Sequence, residues 1–168
     1  MKSKLRKPIS VLLAIAAMLT IVVIGDVPAL AASGNKTVNS TASMSVILNE
    51  GETGYSSYVT FNVSGCPSGS TVSKIEVNVG TLSYQGAVLT YHLELSSSNK
   101  STVETISWGG AGGTKLTSTS FFATTPANGT YKIRFYATCV GGALVGGTML
   151  DIGTKTYSKP SIKIYYTY

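Results

Sequence analysis

Charged side chains, histidine, cysteine and tryptophan are all scarce in this sequence of 168 residues. Lysine and arginine number 13 together and the two acids 7, beside one histidine, two cysteines and one tryptophan. So few ionisable groups leave little material for catalysis, because a hydrolase needs an activated nucleophile, paired carboxylates or a metal-bound water. The composition therefore predicts a protein that is not an enzyme and that holds neither a metal ion nor another cofactor.

The few candidates for chemistry do not form a recognisable site. His92 could act as a base oriented by Glu94 on the same strand face, and Cys139 could supply a thiol. Alternation along the chain directs Cys139 inward and His92 towards solvent, which favours two structural residues over a catalytic pair. The carboxylates after residue 31 show no spacing typical of a glycosidase pair or a calcium loop: Glu50, Glu52, Glu76, Glu94, Glu104 and Asp151.

The first 31 residues have a composition of their own. Their positive charges all lie within residues 2–7, and an uncharged apolar core of fifteen residues follows at 10–24. Ala29-Leu30-Ala31 then supplies the small residues that a signal peptidase recognises. The apolar core is short of the ~20 residues that a spanning helix needs. We therefore predict a secretory signal peptide cleaved between Ala31 and Ala32, with a retained membrane anchor as the alternative.

Removal of that segment leaves 9 cations and 6 acids, because 4 of the 13 cations and 1 of the 7 acids precede residue 32. The net charge falls to 9 − 6 = +3, and no two of the remaining cations are adjacent. Nucleic-acid grooves need clustered cations, so binding of nucleic acid is not expected. The exported product would have no stable membrane span.

Apolar and polar residues alternate in most of the remaining chain, which is typical of half-buried strands. The stripes lie at residues 44–48, 58–63, 72–79, 89–95, 131–139 and 161–168, separated by Gly, Pro and Asn. Tyr131, Ile133 and Phe135 form the clearest stripe, and Leu89, Tyr91, Leu93 and Leu95 form another. The pattern predicts one antiparallel β-sandwich of eight or nine strands over residues 43–168, jelly-roll or immunoglobulin-like, with a closed barrel as the alternative.

Three further structural expectations concern the two ends of this domain and its cysteines. Residues 32–42 are polar and are expected to be a flexible lead-in. The last strand, residues 161–168, is rich in strong β-formers and contains one charge, Lys163. It either pairs inside its own sandwich and closes it or lies at a sheet edge, where it would allow self-association. Cys66 and Cys139 are an even number of cysteines in an exported domain, which favours a disulfide over two separate buried thiols.

Aromatic residues are the main candidates for binding. Trp108 precedes a glycine-rich stretch at 109–113, where an exposed indole could stack on a sugar or anchor a protein. Tyr84 and Tyr136 fall on polar faces or in loops, as do Tyr55, Tyr58 and Tyr165. We take Trp108, Tyr84 and Tyr136 as the candidate binding residues. The core is the alternative location for Trp108.

Several segments between residues 72 and 164 resemble the P-domain of proprotein convertases and similar bacterial β-sandwich modules. They are Ile75-Glu76-Val77-Asn78-Val79, Tyr84-Gln85-Gly86, Leu93-Glu94-Leu95-Ser96-Ser97, Phe121-Phe122 and Ala127-Asn128-Gly129-Thr130-Tyr131-Lys132-Ile133. The sequence departs from the family pattern at Ala87, Ser97 and Tyr131. The resemblance implies a jelly-roll sandwich that serves as an accessory module to a protease.

These observations favour a secreted, non-enzymatic module that recognises an extracellular or cell-surface ligand, either a protein or a glycan. Two other classes stay open. One is a protein that self-assembles into an extracellular matrix or fibre, and the other is a small toxin or bacteriocin-like effector.

Overall fold

A computed structural model describes residues 31–168. The predicted signal peptide, apart from Ala31, lies outside the described residues. Within residues 31–168 no helix is long and apolar enough to cross a membrane.

The described part of the chain is built from β-strands. They are β1 (Ser33–Asn39), β2 (Ser43–Asn49), β3 (Thr53–Tyr55), β4 (Val59–Val63), β5 (Thr71–Asn78), β6 (Thr81–Gln85), β7 (Ala87–Ser97), β8 (Lys100–Ser107), β9 (Lys115–Ser118), β10 (Gly129–Gly141), β11 (Ala143–Val145), β12 (Thr148–Leu150), β13 (Ile152–Ser158) and β14 (Ser161–Thr167). All pairs of neighbouring strands run antiparallel. The fold is a jelly-roll-like β-sandwich, and the predicted fold class is confirmed.

One layer is a bent sheet made of two segments. The first segment has the strand order β1-β14-β5-β9 and the second has the order β2-β13-β6. Three strands continue from one segment into the other, because β1 and β2, β13 and β14, and β5 and β6 are consecutive in the chain. At the bend, the Ser40 backbone N–H donates to the Pro160 carbonyl at 3.0 Å. Gly80 has φ +85°, and a Cβ there would lie 2.1 Å from the Ser158 carbonyl oxygen. Only glycine therefore fits at this corner. Three bends, between β1 and β2, β5 and β6, and β13 and β14, together with the three-residue strands β3, β11 and β12, explain why the fourteen strands of residues 31–168 outnumber the predicted eight or nine.

The facing layer is a five-stranded sheet centred on β10. Strands β3 and β4 pair with successive parts of one edge of β10, while β7 pairs with the other edge and carries β8 outside it. Inward-facing residues of both layers form one core, in which the largest fully buried side chains are Tyr131, Tyr157, Phe61, Phe122, Phe135, Met44, Ile75, Leu93, Leu95, Ile133, Ile162 and Ile164. Burial of these faces is the main stabilising contribution that strand alternation predicts.

The two ends of the domain pair with each other. Ser33–Asn39, expected to be flexible, pairs residue for residue with β14 from Ser33–Thr167 to Asn39–Ser161. Strand β14 consequently lies between β1 and β5, and both of its edges are used. The structure therefore agrees with the alternative in which residues 161–168 pair inside their own sandwich, and β1 covers the edge that self-association would need.

The predicted disulfide is wrong, since Cys66 and Cys139 are both free and buried. The Asn128 side chain accepts a hydrogen bond from the Cys66 N–H and donates one to its carbonyl, both at 3.0 Å, which places Cys66 beside the start of β10. Cys139 lies ten residues beyond Gly129 on that strand, roughly 33 Å away at about 3.3 Å per residue. A disulfide requires Cα atoms within about 7 Å.

Candidate functional site

An irregularity in β7 determines which side chains reach the outer face of the five-stranded sheet. Tyr136 pairs with His92 and Ala137 pairs with Thr90, so Tyr91 has no partner on β10. This is a β-bulge, and the extra residue turns two consecutive side chains, Tyr91 and His92, towards the same side. Thr90 points into the core as a result. The prediction that Leu89 and Tyr91 face inward with Leu93 is wrong, because the bulge reverses the alternation N-terminal to His92.

The bulge assembles an aromatic group around Tyr136. Tyr136 pairs with Tyr55 across one edge of β10 and with His92 across the other. Its ring centroid lies 4.8 Å from that of Tyr55 and 5.2 Å from that of His92, with the His92 ring nearly parallel at 17°. Tyr91 lies 6.2 Å from Tyr136. These separations are those of interacting aromatic pairs. The aromatic patch consists of Tyr55, Tyr58, Tyr91, His92 and Tyr136, together with Arg134 and Glu94.

Arg134 organises the charged part of the aromatic patch. Its guanidinium carbon lies 3.8 Å from the ring centroid of Tyr55 and 4.6 Å from that of Tyr58, which are cation–π distances. Its Nε donates to Glu94 Oε2 at 2.7 Å. Hydrogen bonding to Glu94 also raises the pKa of the Tyr55 hydroxyl. The patch thus holds its rings in fixed positions while Tyr55, Tyr58 and Tyr91 remain exposed.

A shallow depression continues the same face at the end of β7 nearest the start of β10. It has a volume of about 320 Å³, and its polar lining includes Ser96, Ser98, Thr130 and Lys132. The Lys132 ammonium lies 5.9 Å from the Tyr58 ring centroid, so the depression adjoins the aromatic patch. Hydroxyls in the depression and ring faces in the patch therefore lie along one surface.

The three predicted binding residues have different locations. Tyr136 lies at the centre of the aromatic patch. Tyr84 is exposed on β6 in the other layer and belongs to no part of it. Trp108 is only 6% exposed and packs against Tyr157 with centroids 4.6 Å apart, so it lies in the core, its alternative location, and does not present the exposed indole that binding would need.

Two members of the patch have no sequence signal that marks them as binding residues. Tyr91 falls in an apolar stripe, which predicts a core position, and a bulge leaves no mark in an alternating pattern. Arg134 was visible as an outward residue next to Tyr136, but its position over Tyr55 and Tyr58 depends on pairing with strands more than seventy residues away. The proposed His92–Glu94 pair is not formed as a dyad: Glu94 bonds Arg134, and His92 stacks on Tyr136.

Comparison with known proteins gives structural similarity only. No protein-family model matches the chain, the P-domain included, and no curated protein matches it. A candidate secreted protein from Eubacterium rectale is 11% identical, with a TM-score of 0.47 over 82% of this chain. The VP2 subviral particle of infectious bursal disease virus is 10% identical, with a TM-score of 0.38 over 85%. The chain spans 40% of the length of each of these two proteins.

Proposed function

We propose that this chain is an exported, non-enzymatic β-sandwich module that recognises an extracellular glycan on its aromatic patch. The observation that carries the proposal is the group of exposed rings around Tyr136, fixed by Arg134 and Glu94. Export rests on the composition of the first 31 residues.

The chemistry of the patch favours a glycan over a protein. A pyranose presents C–H groups on its faces and hydroxyls around its rim, so it needs ring faces with hydrogen-bonding groups beside them. Tyrosine supplies both in one side chain. Arg134 and Glu94 add charged hydrogen-bonding groups, and the hydroxyls of Ser96 and Thr130 continue the surface. An extended sugar chain lying along β10 could use both regions.

The proposal is tested with two matched tyrosine variants on a glycan array, followed by affinity electrophoresis in the polysaccharides that bind. Tyr136→Ala removes the centre of the patch, and we expect at least a tenfold loss of affinity. Tyr84→Ala removes a tyrosine ring outside the patch that is 67% exposed, and it should bind like the wild type. Analysis of the incubated polysaccharide should show no new reducing ends, as expected for a protein that does not cleave its ligand.

Two results would contradict the proposal. Equal binding by Tyr136→Ala and the wild type would remove the patch from the site. Failure to bind any glycan, together with Tyr136-dependent binding to a purified surface protein, would assign the patch to protein recognition.

A further inference from the structure

A small hairpin at one end of the domain is not explained by the aromatic patch. Strands β11 and β12 pair as Ala143–Leu150, Leu144–Met149 and Val145–Thr148. Gly146 and Gly147 connect them with φ values of +57° and +85°, as a type I′ turn requires. The hairpin is a regular antiparallel pair of strands closed by a two-residue turn.

Both faces of this hairpin are mainly apolar, and Thr148, opposite Val145, is its one polar side chain. Leu144 and Met149 lie opposite each other on one face and are 69% and 65% exposed. Val145 and Leu150 are exposed on the other face, while Ala143 is buried at the base. Five exposed aliphatic side chains in one short segment, counting Val140 before it, exceed the scattered apolar residues of an ordinary surface.

Charge is absent from the hairpin and concentrated at its base. Residues 140–150 contain no charged side chain. Exposed Glu50, Glu52 and Asp151 lie next to the hairpin, because the Glu50 N–H donates to the Asp151 carbonyl and the Gly51 N–H to the Cys139 carbonyl, both at 2.8 Å. Glu50, Glu52 and Asp151 therefore lie at the base of the hairpin, where the Glu52 carboxylate accepts hydrogen bonds from the Asn49 backbone N–H at 2.9 Å and from the Asn49 side-chain amide at 3.0 Å. We call these three acidic residues the acidic collar.

We propose that the hairpin inserts into the headgroup region of a zwitterionic lipid bilayer. A protein groove or a second copy of the chain would cover one face of the hairpin, whereas a bilayer covers both. A three-residue strand reaches about 10 Å, which matches the depth of about 5–10 Å of interfacial insertion. The headgroup region is hydrated, so the backbone groups on the two outer edges of the hairpin keep water as a partner there, which they would lose in the hydrocarbon. The acidic collar complements the outermost choline ammonium groups and would be repelled by anionic lipids.

The test uses flotation of the exported chain with phosphatidylcholine vesicles. The double variant Leu144→Ser with Met149→Ser should lower the partition coefficient at least tenfold. The matched control is Ile47→Ser, which removes an aliphatic side chain that is 68% exposed on β2, away from the turn. Ile47→Ser should bind like the wild type. Tyr136→Ala should also bind vesicles normally, which separates this proposal from glycan recognition.

Charge and self-association provide the remaining outcomes. Replacing a third of the phosphatidylcholine by phosphatidylglycerol should weaken binding severalfold, and Glu50→Gln with Asp151→Asn should reduce that effect. Stronger binding to the anionic vesicles would overturn the proposal, as would equal partition of the hairpin variant and the wild type, or failure of the wild type to bind. Sedimentation velocity without lipid should show a monomer. A dimer abolished by the hairpin substitutions would instead assign the hairpin to an interface between copies.

Discussion

Strand β10 lies between two groups of aromatic residues, one buried in the core and the other on the outer face of the sheet. Phe135 points inward and meets Tyr157 and Trp108, with ring centroids 5.1 and 6.4 Å away. Its neighbours Arg134 and Tyr136 point outward into the aromatic patch. We call Trp108, Phe135 and Tyr157 the inner cluster. Both groups have a cation beside their rings: Lys155 for the inner cluster, with its amine 5.9 Å from the Tyr157 ring centroid, and Arg134 for the patch.

The positive charges of Arg134 and Lys155 have different hydrogen-bond partners. Arg134 is paired with Glu94, whereas the Lys155 amine, on a side chain only 7% exposed, donates to the Val88 carbonyl at 2.9 Å. Desolvation by burial lowers the pKa of Lys155. The Trp108 Nε1–H is buried without a hydrogen-bond partner. The inner cluster therefore combines large packing energy with an unpaired indole N–H and a buried cation that has no carboxylate partner among residues 31–168, while the outer patch has a paired charge and contributes less to stability.

Removing one ring from each group should give the largest difference in the free energy of unfolding. Tyr157→Ala empties a fully buried site, and we expect a loss of about 3–5 kcal/mol in the free energy of unfolding. Tyr136→Ala removes a ring at the surface and should cost under about 1 kcal/mol. Urea denaturation of both variants measures the difference. Equal losses would show that the outer rings are part of the core.

Tyr157→Phe is the control for the hydroxyl of the inner cluster. This hydroxyl donates to the Gly110 carbonyl, and phenylalanine keeps the ring while leaving that carbonyl without its donor. The expected loss is about 1 kcal/mol, well below that of the alanine variant. A loss as large as that of Tyr157→Ala would assign the stability to the hydrogen bond instead of ring packing.

The contrast between the groups also shows which features can be predicted from sequence. Alternation placed Tyr131, Ile133 and Phe135 inside correctly, because the side-chain period of a strand is set by its own backbone. The same alternation predicted the wrong direction for the Tyr91 side chain, because the bulge there depends on pairing with β10. Ser33–Asn39 has little apolar pattern of its own, and it is a strand because β14 offers a backbone edge to pair with. The pairing of strands and the distance between Cys66 and Cys139 depend on the topology of the fold, which cannot be derived from a single sequence.

The glycine-rich loop at residues 109–113 packs more tightly than its composition predicts. Gly110 has φ +83°, and a Cβ there would lie 2.8 Å from both Lys155 Nζ and Thr90 Cβ. Gly110→Ala should cost about 2–4 kcal/mol, through backbone strain plus displacement of Lys155. Gly113→Ala is the control, since φ is +68° but no atom lies within 4 Å of its Cβ position. Its cost should be about 1 kcal/mol in thermal or urea denaturation, and equal costs would contradict the packing argument.

Lys155 should make stability depend on pH, and the sign follows from its lowered pKa. In the unfolded chain the amine keeps its proton up to its ordinary pKa of 10.5, whereas the folded protein releases it earlier. Between those two values the unfolded state binds more protons, so the contribution of Lys155 to stability rises with pH and levels off above 10.5. Lys155→Met should remove this rise.

The measurement is the difference in unfolding free energy between wild type and Lys155→Met from pH 7 to 11. Other groups titrate here as well: burial raises the pKa of Tyr131 and Tyr157 from 10.0 to about 12, so their contributions fall as pH rises above 10. Both proteins contain these tyrosines, so the difference isolates Lys155. A difference that does not change with pH would show that the amine keeps its ordinary pKa in the folded protein.

The smallest expected effect concerns the ion pair of the outer patch. Arg134 and Glu94 are partly exposed, and such pairs contribute about 0.2–1 kcal/mol after solvent screening. A double-mutant cycle with Arg134→Met and Glu94→Gln should give a coupling energy in that range, decreasing as salt is raised. The same variants should weaken glycan binding far more than they change stability, because the pair holds Tyr55 and Tyr58 in place under the guanidinium. A coupling energy of several kcal/mol that does not respond to salt would mean that the outer pair is structural, like the inner cluster, and would remove the distinction between the two groups.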